Sequence, residues 1–119
     1  MPLLVHTSRL GYRGPDILPV TRFRVVDPLG SLFAPSAPLL SGALARRKAG
    51  ALEAHWPAYA AAYTAEMRVS YRRHRAAWEA LLARESVTLL CFCTDPARCH
   101  RRVLAGLLVA CGAVDCGER

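Results

Sequence analysis

The stretch "SVTLLCFCTDPARCHRRVLAGLLVACG", residues 86–112, decides how this chain folds. Its opening "SVTLLCFC" is apolar and β-capable with almost no polar alternation. A strand of that kind is covered on both faces, as at the centre of a parallel sheet. From Asp95 onward the pattern becomes helical. Asp95 suits an N-cap, Pro96 a first-turn position, and Gly112 the residue that stops the last turn. A buried strand that runs straight into a helix places the joining loop at the carboxyl end of the sheet, where open α/β folds take their ligands. Three cysteines, one histidine and three arginines crowd into Leu89–Arg102, across that crossing.

Outward from this stretch, Leu3, Leu4 and Val5 predict a short buried strand that ends near His6, Thr7 and Ser8. "RLGYRGPDILPV", residues 9–20, is punctuated by Gly and Pro and reads as turns. "TRFRVVD", residues 21–27, alternates, with Arg22 and Arg24 on the outward side of a half-exposed strand. "PLGSLFAPSAP" reads as a loop, and a short helix follows from about Leu39 to Gly50. Glu53 to Arg84 carries the strongest helical signal, with Trp56, Tyr59, Tyr63, Met67, Tyr71, His74, Trp78 and Leu82 at spacings of three and four. Pro57 suits the first turn of that helix. "AVDCGER" adds an edge strand. The order predicts one α/β domain over residues 1–119, Rossmann-like, with a small, mainly parallel sheet and flanking helices.

A chain of 119 residues buries roughly two-thirds of its unfolded surface and needs neither disulfide nor metal to fold. Hydrophobic residues at 53% and charged residues at 21% exclude a disordered chain. No apolar run approaches the ~20 residues of a membrane span. "MPLLVHTSR" lacks the features of a signal peptide, so the expected location is cytoplasmic, without a membrane partner. Five cysteines is an odd number, and reduced thiols are expected. The net charge is +7; only Lys48 is lysine, and the other fifteen basic residues are arginine. Arginine suits planar, two-point contact with phosphate or carboxylate. A GC-rich coding sequence yields the same Arg-rich, Lys-poor composition, so the charge suits acidic partners without selecting one.

Three chemistries compete at the crossing. Cys91, Cys93, Cys99 and His100 are suitable zinc ligands by type, but there is no CxxC pair, and neighbours on a helix such as Cys99 and His100 diverge by about 100°. A phosphatase-type thiol loop needs an arginine six residues after the cysteine. Arg98 lies five after Cys93 and seven after Cys91, so that signature fails. Anion recognition remains. The helix start exposes unpaired N–H groups and a partial positive charge. Arg98, His100, Arg101 and Arg102 stand in its first turns, and the same surroundings favour the thiolate of Cys93 or Cys99. A first strand lying parallel beside the buried one would bring His6, Thr7 and Ser8 to the same rim, with Tyr12 and Arg13 folding over it.

Several residues have plainer roles. Cys91 and Cys111 read as small core residues. His74 reads as a core or boundary histidine, and the aromatic stripe as a packing face. "RVSYRRHR", residues 68–75, reads as a solvated face, or as a nucleic-acid contact that mixes arginine with Tyr71.

"CFCTDPARCHR" resembles the family named domain of unknown function 488, in which an apolar strand ending in cysteine, a loop often holding Asp-Pro, and Cys-His-Arg at a helix start follow in order. "HTSRLGYRGPDILPVTR", "FAPS", "YTAEMRVSY" and the terminal "GER" are also similar to the bacterial and phage branch. Pro19-Val20 departs from the Asp-Ile expected there, and Cys116 from an aromatic residue. The resemblance implies a compact α/β domain with a site around Cys99, His100 and Arg101, and no particular reaction. Taken with the residues themselves, it frames the expectation of a site that binds, and could process, a small anionic ligand bearing a nucleotide or phosphate. Cys99, His100 and Cys93 would be the reacting groups, and Arg98, Arg101, Thr7, Ser8 and Tyr12 the binding groups. No cofactor and no metal are expected. A nucleic-acid-associated protein using the arginine-rich helix is the alternative, and a metal-supported interaction module the third reading.

Overall fold

A computed structural model describes residues 2–22, 27–91 and 98–119. Its four strands are β1 (Leu4–Arg9), β2 (Ile17–Pro19), β3 (Ser86–Cys91) and β4 (Val114–Glu118), ordered β2-β3-β1-β4 and all parallel. A 3-10 turn (Gly30–Phe33) and helices α1 (Ala37–Lys48), α2 (Leu52–Arg73), α3 (Arg75–Leu82) and α4 (His100–Ala110) complete the described elements. This is a mixed α/β architecture consistent with a Rossmann-like domain. Among the described residues no helix is long and apolar enough to cross a membrane.

Alternation along the strands sorts the two faces of the sheet. Val5, Leu18, Val20, Val87 and Leu89 join one core with Ala43 of α1, Tyr59, Tyr63 and Met67 of α2, Trp78 and Leu81 of α3, and Leu104 and Leu108 of α4. All four helices thus cover the same face. The other face is covered differently. Segment 10–16 leaves the top of β1, where Leu10 N–H donates to the Cys91 carbonyl (2.9 Å). It ends at the foot of β3, where Asp16 accepts from Ser86 Oγ (2.8 Å) and Thr88 Oγ1 (3.0 Å). The segment therefore runs back along β3, and Thr88 and Leu90 are buried beneath this side of the sheet. Burial, the largest single influence, would raise the Asp16 carboxyl; the two hydroxyls, together with the Arg119 charge and a backbone hydrogen bond, outweigh it and hold the group below its usual range. β3 is buried on both faces, as its apolar run predicts, but a loop supplies the second cover.

Four expectations change. The strand expected over residues 21–27 falls largely on 23–26, outside the described residues; the strand beside β3 is Ile17–Pro19, within the stretch read as turns. Pro19 is tolerated because β2 is an edge strand, paired on one side only. Arg22 does not face outward; its Nε donates to the Pro35 carbonyl (2.9 Å) and its Nη2 to that of Ser31 (3.1 Å), tying down the 3-10 turn. The long helix breaks at an exposed His74 (φ −126°, ψ 41°), with neither Gly nor Pro to announce it. Trp78 is drawn into the core beside Phe33, and its Nε1–H donates to Ser70 Oγ (3.0 Å), which in turn donates to the Leu32 carbonyl (2.7 Å). Pro57 lies inside α2, beyond the first turn, where its missing N–H removes a helical hydrogen bond.

The end of α4 follows its sequence signal. Gly112 adopts φ +106°, its N–H donates to the Val109 carbonyl (2.9 Å), and Ala113 N–H donates to that of Leu108 (3.0 Å). This doubly bonded left-handed stop directs the chain into β4. Cys111, expected in the core, is exposed just past the last turn.

Candidate functional site

The site is built where the carboxyl ends of β1, β3 and β4 meet the start of α4. Cys99 holds the N-cap position in an extended conformation (φ −141°, ψ 142°), and its side chain makes no capping bond. His100 opens the helix and is buried. Its Nε2 lies 2.6 Å from the Val20 carbonyl. A carbonyl only accepts, so Nε2 carries the proton, and in the neutral ring Nδ1 presents a lone pair. That Nδ1 lies 3.9 Å from Cys99 Sγ. Burial, the largest influence, pushes His100 below its usual pKa of 6.5 and favours the neutral form. The Tyr63 ring packs against the imidazole at 5.5 Å, and Tyr63 Oη donates to the Phe33 carbonyl (2.6 Å). Full burial holds the Tyr63 hydroxyl protonated, its pKa well above the usual 10.0.

Cys91 ends β3 on the same face, and one ligand atom each from Cys91, Cys99 and His100 lie within 4.8 Å of one another. Arg101, fully buried, donates from Nη1 to Cys91 Sγ (2.9 Å). It also grips Glu118 side-on, Nε to Oε1 at 3.1 Å and Nη2 to Oε2 at 2.7 Å. Burial opposes the guanidinium charge, but the bonds to Glu118 and Cys91 raise its pKa. Burial would likewise raise Glu118; Arg101 and Thr7 outweigh it and hold that carboxyl below its usual range. Arg102 grips Asp115 in the same two-point manner (3.2 and 2.6 Å) and donates to Thr7 Oγ1 (3.2 Å), which donates to Glu118 Oε1 (2.5 Å). One polar network thus ties β1, β3, β4 and α4 together.

Both carboxylates reach α4 because β4 is irregular. Residues three apart on a regular strand face opposite ways. Here the register with β1 shifts between Val5 and His6, so that Asp115 pairs with Val5 and Glu118 with Thr7. Gly117, at φ +90°, supplies the conformation the bulge requires.

The structure brings Cys99, His100, Arg101 and Thr7 into this network. It also adds Cys91, a core residue by burial that contributes its sulfur to the cluster. Ser8 is buried on the opposite face of the sheet, away from His100. Tyr12 lies under the Arg119 guanidinium at 5.1 Å, and its Oη accepts from Arg119 Nη1. Arg98 precedes the helix and pairs with Glu53 (2.7 Å). Cys93, Asp95 and Pro96 lie outside the described residues. A narrow depression of about 30 Å³ reaches Cys99 and His100 past Arg47, Trp56, Tyr59 and Arg98. Trp56 and Tyr59 stack at 5.1 Å along it. Sequence reasoning missed Glu118, Asp115 and Arg47. The signal for the first two was a pair of carboxylates around a glycine in a short strand, a pattern that a bulge turns to one face.

No curated protein and no solved structure matches the chain. A family model described as the active DUF488-N3 subclade, DUF488-N3a, matches residues 18–112. The match takes in most of β2, β3 and the whole of α4, including Cys99, His100 and Arg101. Because it spans well over half of the sequence, the chain belongs to the DUF488 family, a family of unknown function.

Proposed function

We propose that the protein binds a small anionic ligand, nucleotide- or phosphate-bearing, over the depression at the start of α4. One observation carries this reading: Arg47 and Arg98 line the same depression as the stacked Trp56–Tyr59 pair and the helix start. Guanidinium groups supply charge-assisted bonds to phosphate, and an aromatic face accepts a base. Arg98 meets the ligand by exchanging its exposed Glu53 partner, an ion pair of the kind that contributes little. Arg101, held by Glu118 and Cys91, acts as a positioning residue rather than as part of the clamp. The reading places the protein in the cytoplasm, where thiols stay reduced.

Thermal unfolding with nucleoside mono- and diphosphates and inorganic phosphate tests the reading. A ligand at a hundred times its Kd adds about 2.7 kcal/mol, a rise of several degrees in Tm. Arg47→Ala with Arg98→Ala should remove that rise, measured as the difference between the Tm of the same variant with and without ligand. No rise with any of these anions, or a rise that survives in the double variant, would defeat it.

A second reading, nucleic-acid association, is favoured by the exposure of Arg68, Arg72, Arg73 and Arg75 around the half-buried Tyr71. It predicts DNA or RNA binding that weakens steeply with salt. Replacing Arg72, Arg73 and Arg75 should flatten that dependence by about one unit of slope per lost phosphate contact.

A further inference from the structure

We propose that Cys91, Cys99 and His100 form a three-ligand site for a borderline-soft divalent metal ion, with zinc as its occupant. The proposal does not rest on anion binding. The three donors come from two elements: the last residue of β3, the N-cap of α4 and its first helical residue. All three are buried, and their ligand atoms lie within 4.8 Å of one another. Zinc–sulfur bonds of ~2.3 Å and zinc–nitrogen bonds of ~2.0 Å set tetrahedral edges of about 3.5–3.8 Å. The 3.9 Å between Cys99 Sγ and His100 Nδ1 is already close to such an edge. Closing the remaining distance takes about an ångström of side-chain movement at most.

The surroundings are those of a ligand set. The Val20 carbonyl fixes the His100 tautomer and aims Nδ1 at the sulfurs, as a carbonyl partner does for a metal-bound histidine. Arg101 donates to Cys91 Sγ, a bond that favours the thiolate. Its own charge is matched by Glu118. Coordinated as thiolates, the two sulfurs carry two negative charges in a buried place; a divalent ion cancels them, whereas a monovalent ion leaves one uncompensated. Access points the same way. Cys91 and Cys99 are 0% and 1% exposed. The depression that reaches Cys99 and His100 has a volume of about 30 Å³, enough for an ion and far too small for a nucleotide to be attacked by either sulfur. The spacing objection to adjacent ligands on a helix does not apply, because Cys99 is extended and turns its sulfur back toward the ring of its neighbour.

Cobalt titration of the reduced, chelator-stripped, full-length protein tests this. One equivalent of Co²⁺ should produce a thiolate-to-metal absorption in the near ultraviolet and intense visible bands of tetrahedral cobalt, both abolished by zinc. Cys99→Ser and His100→Gln should each weaken zinc binding beyond the ~10–100-fold that loss of an outer-shell partner costs. Cys111→Ser with Cys116→Ser, both exposed positions, should leave it unchanged. Zinc should also protect Cys91 and Cys99 of the wild-type protein from alkylation, a readout that needs no variant. Absence of stoichiometric cobalt binding by the wild type, octahedral bands, or binding that depends on Cys111 and Cys116 would overturn the site. The anion response of Arg47 and Arg98 is a separate measurement, so either proposal can fail alone.

Discussion

Arg101 and Arg102, at the start of α4, each hold a carboxylate of β4 in a two-point grip. Arg68, Arg72 and Arg73, toward the end of α2, stand in solvent and form no ion pair among the described residues. The two groups look alike in sequence, both being arginines beside a histidine or an aromatic residue on a helix. The difference lies in what faces them. The bulge at Gly117 turns Asp115 and Glu118 toward α4, and the guanidinium groups are absorbed into the frame of the site. Among the described residues no carboxylate pairs with the arginines at the end of α2, so their charge faces solvent or a partner. An arginine beside a candidate site is therefore read correctly only after its carboxylates have been located.

The sharpest way to break this comparison is Glu118→Ala. It leaves the Arg101 charge buried without its carboxylate, a loss of about 3–5 kcal/mol for a pair of this type, measured by urea denaturation. Replacing both partners, Arg101→Met with Glu118→Leu, should cost much less. A single-variant loss below about 1 kcal/mol, the range of exposed pairs, would put Arg101 in the same class as the α2 arginines.

Asp115→Asn is the intermediate case. Its pair with Arg102 is roughly a third exposed on each side, and a loss of about 1 kcal/mol or less is expected. The Arg102 bonds, the largest influence, hold the Asp115 carboxyl below its usual 3.8 in the folded state. The unfolded chain therefore binds this proton first. The stabilisation is complete above pH 3.8 and fades as the pH falls through the lowered folded value. Chemical denaturation of both proteins across pH 2.5–6 should show the two curves converging at the acid end, over roughly that range. A gap that persists there would mean that the carboxylate charge is not the source.

Arg72→Gln, at the exposed end of α2, should have the smallest effect, within about 0.5 kcal/mol, much of it from loss of a favourable charge near the helix carboxyl end. A larger effect would reveal a structural partner for this face.

Much of the architecture could be read from the chain because it rests on local rules. The nearly continuous apolar run of Val87–Cys91 and the glycine after α4 each specify their element with little help from the rest of the protein. What escaped depends on contacts distant in sequence. The short strand at Ile17–Pro19 hides among turn residues because an edge strand can tolerate a proline. The break at His74 is set by Trp78 packing on Phe33 and bonding to Ser70, which no local pattern records. At the site, Cys99, His100 and Arg101 stood out by residue type. The partnership of Cys91 with them did not, because a strand end and a helix start are brought face to face only by the completed sheet.

The strap of residues 10–16 has a consequence for chain length. Joining two parallel strands usually takes a dozen or more residues and a helix, and one of the three crossovers between the described strands takes seven. The strap doubles as the only described cover along the back of β3, so it does the work of a missing layer. The residues not spent on a fifth helix are those that let 119 amino acids extend four parallel strands to a common rim.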